Sequence, residues 1–453
     1  MSFPRGFVWG GAASSYQIEG AANADGRGPS IWDDFCAKPG AIWGNGSGAV
    51  ACDHYNRMPQ DVAMMKDMGL RAYRFSVSWP RVLPDGVGHV NEKGLDFYSR
   101  LVDRLLAAGI APYCTLFHWD YPAALERRGG WLGRESAGWF AEYAAVVAKR
   151  LGDRVRHWMT LNEPQVFIKF GLGDGVNAPG LRLPLREQLV AAHHVLLAHG
   201  MGVSALRSVL PAGSQIGWAV VCVVKYPATT VPADIEAARR ATNGSSTKDL
   251  WNNSWWNDPV FFGEYPAEVA ALYGDEVPEF RDADMRIIRQ PMDFLGVNIY
   301  EGQPVRAGAD GAPAPVERGT GHPLTAFRWP VEPQSLHWGP RFMHERYGVP
   351  VYITENGLSN VDWISLDGAV RDPQRIDFTR RYLIALRDAI RAGADVRGYF
   401  HWSVMDNFEW AAGYRERFGL VYVDYPSQRR VLKDSAHWYN RVIETNGAAL
   451  DAG

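Results

Sequence analysis

Along the chain, short runs of β-branched and aromatic residues alternate with longer stretches in which apolar residues recur every three or four positions. The short runs predict eight strands, at 7–12, 72–77, 112–117, 155–161, 215–221, 294–299, 351–354 and 398–402. The longer stretches predict helices, among them 60–68, 92–108, 136–151, 186–209 and 372–392. Alternation of this kind builds a parallel sheet covered by helices, because each parallel strand needs a crossover to return to the same end. Eight repeats in 453 residues fit a closed α/β structure, a (β/α)₈ TIM barrel, in one domain over residues 1–453. An open doubly wound nucleotide fold would place a glycine-rich phosphate loop after an early strand, and neither G-x-G-x-x-G nor G-x-x-x-x-G-K-[ST] occurs there. The Gly-, Ala- and Pro-rich stretch 306–320 reads as a long loop after strand six.

Several of the apolar runs stop in the same way. Strand four ends Thr160-Leu161-Asn162-Glu163-Pro164 and strand seven ends Ile353-Thr354-Glu355-Asn356-Gly357. Strand three ends Phe117-His118-Trp119-Asp120, strand six Asn298-Ile299-Tyr300, and strand eight His401-Trp402. In a barrel these ends converge on one mouth, where barrel enzymes place their chemistry. Glu163 and Glu355, remote in sequence, would share that mouth. Glycoside cleavage needs such a pair: one carboxyl protonates the leaving oxygen, and the other meets the anomeric carbon or activates water. The same glutamates would also serve as helix caps or as partners of arginines, and the pattern alone leaves those readings open. Pro164 removes a backbone donor and ends its strand. Gly357 is expected to permit a tight turn.

Composition narrows the function classes. A net charge of −3, without a long run of one sign, gives no electrostatic case for nucleic acid or an anionic membrane. No apolar run is read as reaching the roughly 20 residues of a membrane span. The four cysteines form no C-x-x-C pair and read as free thiols in a reducing compartment. The first 15 residues faintly suggest a leader, but the apolar stretch is short and broken by Gly10-Gly11. The expectation is a cytoplasmic protein. His193, His194 and His199 lack H-E-x-x-H spacing and read as helix packing and surface, not as a metal site. No metal or organic cofactor is expected, and oligomeric state is not readable.

Five motifs, in order and over nearly the whole chain, resemble the family-1 glycoside hydrolases, the β-glucosidase family. They are Phe7-Val8-Trp9-Gly10 through Ser14-Ser15-Tyr16-Gln17-Ile18-Glu19-Gly20, Asn162-Glu163-Pro164, Thr354-Glu355-Asn356-Gly357, the run Ser403 to Trp410, and the run Arg417 to Asp424. The resemblance implies a retaining β-glycosidase acting on small β-glucosides, with Glu355 as nucleophile and Glu163 as acid/base. It implies sugar contacts from Gln17, His118, Asn162, Asn298, Tyr300, Trp402, Glu409, Trp410 and Phe418. Trp329 corresponds to an aglycone-side ring, and Arg74 with Tyr300 to groups that hold the nucleophile. Gln165 stands where many members carry Trp and is expected to face the leaving group. Asn177 departs from the usual His or Phe. A transglycosylase or a sugar-binding barrel without activity remains an alternative. So does an aldolase, for which Lys225 is the nearest lysine to a strand end.

Overall fold

The computed structural model describes residues 2–451. Eight parallel strands close into a barrel: β1 (Val8–Ala12), β2 (Ala72–Ser76), β3 (Ala111–Phe117), β4 (His157–Asn162), β5 (Gln215–Val221), β6 (Leu295–Asn298), β7 (Val351–Asn356) and β8 (Val396–Trp402). They follow one another around the barrel in chain order, and β1 pairs with β8 to close it. All eight expected strands are present, displaced by at most a few residues at their ends.

Inside the barrel, Tyr113, Met159, Phe294, Tyr352 and Phe400 pack into a plug of buried side chains. Tyr113 meets Phe400 edge-on at 4.8 Å, and Phe294 meets Tyr352 at 5.1 Å. The barrel is therefore a filled core and not a channel, and a ligand has room only above the plug. Helices such as Glu92–Ala107, Ser136–Leu151, Leu185–Val209 and Pro373–Arg391 cover the outside.

Three expectations need correction. The stretch 306–320 is not one long loop. Gly302–Ala307 and Pro313–Pro315 are strands, and with Val224–Pro227 they form a three-stranded sheet beyond the barrel. Prolines 304, 313 and 315 hide them, since proline usually argues against a strand; Pro313 and Pro315 lie on the edge, where a missing donor is tolerated. His193 and His199 are core groups and not surface ones. His193 bonds Asp284 and Tyr265, and His199 bonds Thr160. Finally, Leu185–Val209 is long and apolar enough by length and composition to cross a membrane. Yet 72% of its apolar window is buried in the protein, so it is read as the central cover helix of the core.

Candidate active site

Both glutamates follow a break in strand register. β4 slips against β5 between Met159 and Asn162, and β7 slips against β6 between Ile353 and Glu355. A bulge of this kind re-aims the side chains beside it. Glu163 then takes a positive φ of 47°, rare for any residue but Gly or Asn and often seen at functional sites. Its amide donates to Ala219 O at 2.7 Å. Pro164 opens a short helix, Pro164–Val166, where its missing N–H has no partner to lose. Gly357 is required for closeness rather than for turning: a Cβ there would lie 1.9 Å from Trp402 O.

Above the plug lies a cavity of about 960 Å³, within the size range of small-ligand sites. Glu163, Glu355, His118, Trp119, Asn298, Tyr300, Trp402, Glu409, Trp410 and Phe418 line it from the strand ends and the 403–418 loop. Trp119 (φ 78°) and Trp410 (φ 48°) share the positive backbone angle of Glu163. Trp402 lies nearly parallel to His118 at 5.7 Å, and Trp410 is held between Trp119 and Trp32 at 4.5 and 4.6 Å. These rings present flat apolar faces suited to a sugar ring.

The two carboxyls differ in their neighbours. Arg74 Nη1 donates to Glu355 Oε1 at 2.6 Å, and Tyr300 Oη donates to Oε2 at 2.8 Å. Glu163 Oε1 accepts only from Asn298 Nδ2, at 2.9 Å. Burial pushes both above the usual carboxylate range. For Glu163 the negative charge of Glu355 adds to the rise. For Glu355 the Arg74 cation and the phenol of Tyr300 pull back down. Glu355 is thus the stronger acid of the pair. Burial also keeps the Tyr300 phenol protonated, so it remains a donor.

Asn162 links the pair from behind. Its Oδ1 accepts from Arg74 Nη2 at 2.6 Å and from Asn298 Nδ2 at 3.1 Å. That leaves its Nδ2 to donate to His118 Nε2 at 3.1 Å. His118 is neutral, because burial and then Arg74 lower its pKa, so its remaining proton sits on Nδ1 and is available to a ligand oxygen.

Glu409 is buried on the other side of the cavity. Burial, and then Glu355 and Glu416, push its carboxyl up to about 8, with Gln17 opposing. Gln17 Nε2 reaches Glu409 Oε2 at 3.2 Å and also Asn407 Oδ1 and Phe408 O. Behind this loop Lys433 bridges Asp362 and Asp406 at 2.6 and 2.7 Å, and Arg417 also holds Asp406. The loop carrying Glu409 and Trp410 is thereby pinned by buried ion pairs.

Most residues singled out in the sequence meet at this one cavity. Gln17, Arg74 and Asn162 stand behind its wall and hold the groups that line it. Trp329 lines it, stacked on Phe327 at 4.7 Å. Gln165 does not line it, contrary to the expectation that it faces a leaving group. It is buried, and its amide pairs with the backbone N–H and C=O of Val221 at 3.3 and 3.0 Å. Sequence reasoning missed Phe327, Gln303, Arg318, Trp43, Phe170 and Trp251, all on the cavity wall. Only Phe327 had a signal, two positions before Trp329. Among the described residues no cluster of His, Cys, Asp and Glu could hold a metal ion.

The model of glycosyl hydrolase family 1 matches residues 1–448. The chain is 44% identical over 449 residues to Beta-glucosidase A of Thermotoga maritima, covering 98% of each. It is 45% identical over 446 residues to the Beta-glucosidase of an Agrobacterium species, covering 97% of this chain and 94% of that one. The structure of the Thermotoga maritima beta-glucosidase in complex with glucoimidazole superposes with a TM-score of 0.90, at 44% identity, covering 98% of this chain and 99% of that one. A second structure of that enzyme, with deoxynojirimycin, gives the same TM-score.

Proposed function

The chain belongs to glycosyl hydrolase family 1, and we propose that it is a retaining β-glucosidase that releases terminal β-D-glucosyl units from small β-glucosides. The observation that carries this reading is the unequal pairing of the two glutamates: Glu355 meets a cation and a phenol, and Glu163 meets one amide. The relatives at 44–45% identity are named as β-glucosidases.

In the first step Glu355, kept ionised by Arg74, attacks the anomeric carbon while Glu163 passes its proton to the leaving oxygen. The product is a glycosyl ester on Glu355 and a free alcohol. With Glu355 esterified, its charge no longer holds the Glu163 proton, and Glu163 becomes a base. Glu163 then takes a proton from water, the water oxygen attacks the anomeric carbon, and the sugar leaves with its configuration retained. Retaining enzymes hold their carboxyls about 5–5.5 Å apart, and inverting ones leave roughly 6.5–9.5 Å for a water. His118 Nδ1–H, Glu409, Trp402 and Trp410 would hold the sugar, with Gln17 and Asn162 fixing them. We place the protein in the cytoplasm on the four free thiols.

Proton NMR during hydrolysis of 4-nitrophenyl β-D-glucoside tests the proposal. The β-anomer of glucose should appear first. First appearance of the α-anomer would mean inversion, and no cleavage would remove the β-glucosidase reading.

A further inference from the structure

The wall of the cavity carries a lysine that the two glutamates do not use. Lys225 lies on the strand Val224–Pro227, and its register partner across the small sheet is Gln303. Register partners leave a sheet on the same face, and Lys225 Nζ donates to Gln303 Oε1 at 3.0 Å. Both side chains line the cavity. Among the described residues no carboxylate oxygen comes within 4 Å of this ammonium. Burial lowers the pKa of Lys225, Glu301 opposes that, and Arg318 adds to it. A lysine brings three donors and no acceptor, and Gln303 takes one. Two remain for a ligand.

Position along the chain says which part of a ligand this is. Glu163, Asn298 and Glu355 stand at the strand ends, whereas Lys225 comes four residues after the end of β5 and Gln303 five after the end of β6. The pair thus sits on the small sheet beyond the strand ends, on the same cavity wall as Trp329, which in the reading proposed above is the leaving-group side.

Charge decides the kind of leaving group. Arg318 is already engaged by Glu332, at 2.8 Å, and by Gly302 O. Glu301 lies on the same wall, and Glu163, Glu355 and Glu409 lie beneath. An anionic leaving group would gain Lys225 but face the ionised Glu355 and the carboxyl of Glu301. A neutral sugar offers hydroxyl oxygens to the lysine with no such repulsion, and Trp329 and Phe327 offer it flat faces. We propose that Lys225, oriented by Gln303, donates to the hydroxyls of a second sugar in the leaving-group position and so favours β-linked gluco-oligosaccharides over simple aryl glucosides. The inference rests on the β-glucosidase reading and deepens it.

The test measures kcat/KM for cellobiose and for 4-nitrophenyl β-D-glucoside, with 4-carboxyphenyl β-D-glucoside as the charged control, in the wild type, Lys225→Met, Lys225→Arg and Gln303→Leu. The quantity read is the ratio of the two constants, which cancels any loss common to both. In Lys225→Met the ratio should fall about tenfold, as on losing a hydrogen bond from a charged donor, mostly through KM for cellobiose. Lys225→Arg should recover most of it, and Gln303→Leu should give a smaller fall. An unchanged ratio in Lys225→Met would reduce the lysine to a support for the small sheet and overturn the proposal. A fall confined to 4-carboxyphenyl β-D-glucoside, with the cellobiose ratio intact, would show an anion site and overturn it equally. Cleavage of the aryl glucoside by the wild type checks the β-glucosidase reading separately.

Discussion

The end of β4 and the end of β7 look alike in sequence and are built differently in space. Each carries a Glu beside an Asn, and each follows a register slip. At the end of β7, Arg74 and Tyr300 close on both oxygens of Glu355. At the end of β4, Glu163 has one neutral donor, Asn298, and takes a positive φ. A buried carboxylate with a cation in contact keeps its charge, and a buried carboxyl beside another anion keeps its proton. In the proposed mechanism two identical side chains thus take opposite roles because their neighbours differ, as acid/base pairs in other enzymes do.

The comparison breaks most severely if Glu355 is removed. Glu355→Ala should lower kcat on aryl β-glucosides by on the order of 10⁵-fold, since the nucleophile and its partners act as a unit. Azide should restore turnover and give an α-glycosyl azide. A β-glycosyl azide, or only a modest loss, would take the nucleophile's role from Glu355. Removing the proton at the other strand end should be selective. Glu163→Gln should slow alkyl glucosides by roughly 10²- to 10⁴-fold and aryl glucosides, whose leaving groups need little protonation, far less. Equal losses on both would count against the acid role.

Weakening the support of Glu355 sharpens the contrast. Arg74→Met leaves a buried carboxylate without its cation, and kcat/KM should fall by about 10²- to 10³-fold, the scale of breaking a buried ion pair. The pH profile gives the sign. Activity needs Glu355 ionised and Glu163 protonated, so it falls as pH drops through the pKa of Glu355 and as pH rises through the raised pKa of Glu163. Without Arg74 the pKa of Glu355 rises, and the acid limb should move to higher pH. An acid limb that stays in place would show that Arg74 does not set the charge of Glu355. Tyr300→Phe removes one hydrogen bond to the same carboxylate and should cost about tenfold, with a smaller shift of that limb in the same direction; a shift toward lower pH would contradict the donor role.

Much of this was legible in the sequence. The eight strands, their order and the polar residues at their ends follow from alternation and from where apolar runs stop. The slips that aim both glutamates were not legible, because a bulge is a relation between two strands and not a property of either. The family pattern points Gln165 toward the leaving group, but its amide pairs with the backbone N–H and C=O of Val221 and turns inward. Gly357 looks like a turn residue in the sequence, and its reason is the carbonyl of Trp402, a contact between segments far apart in sequence. The strands at 302–307 and 313–315 were masked by proline, and with them the wall that carries Lys225 and Gln303.

The difference between the two strand ends is tested most directly by trapping the intermediate. A 2-deoxy-2-fluoro-β-D-glucoside with an activated leaving group slows both steps, but esterification less than release. After inactivation, peptide mapping by mass spectrometry should find the fluorosugar on the peptide containing Glu355, attached to that carboxyl. A sugar attached to Glu163, or an inactivated protein carrying no covalent sugar, would contradict the assignment of the two glutamates.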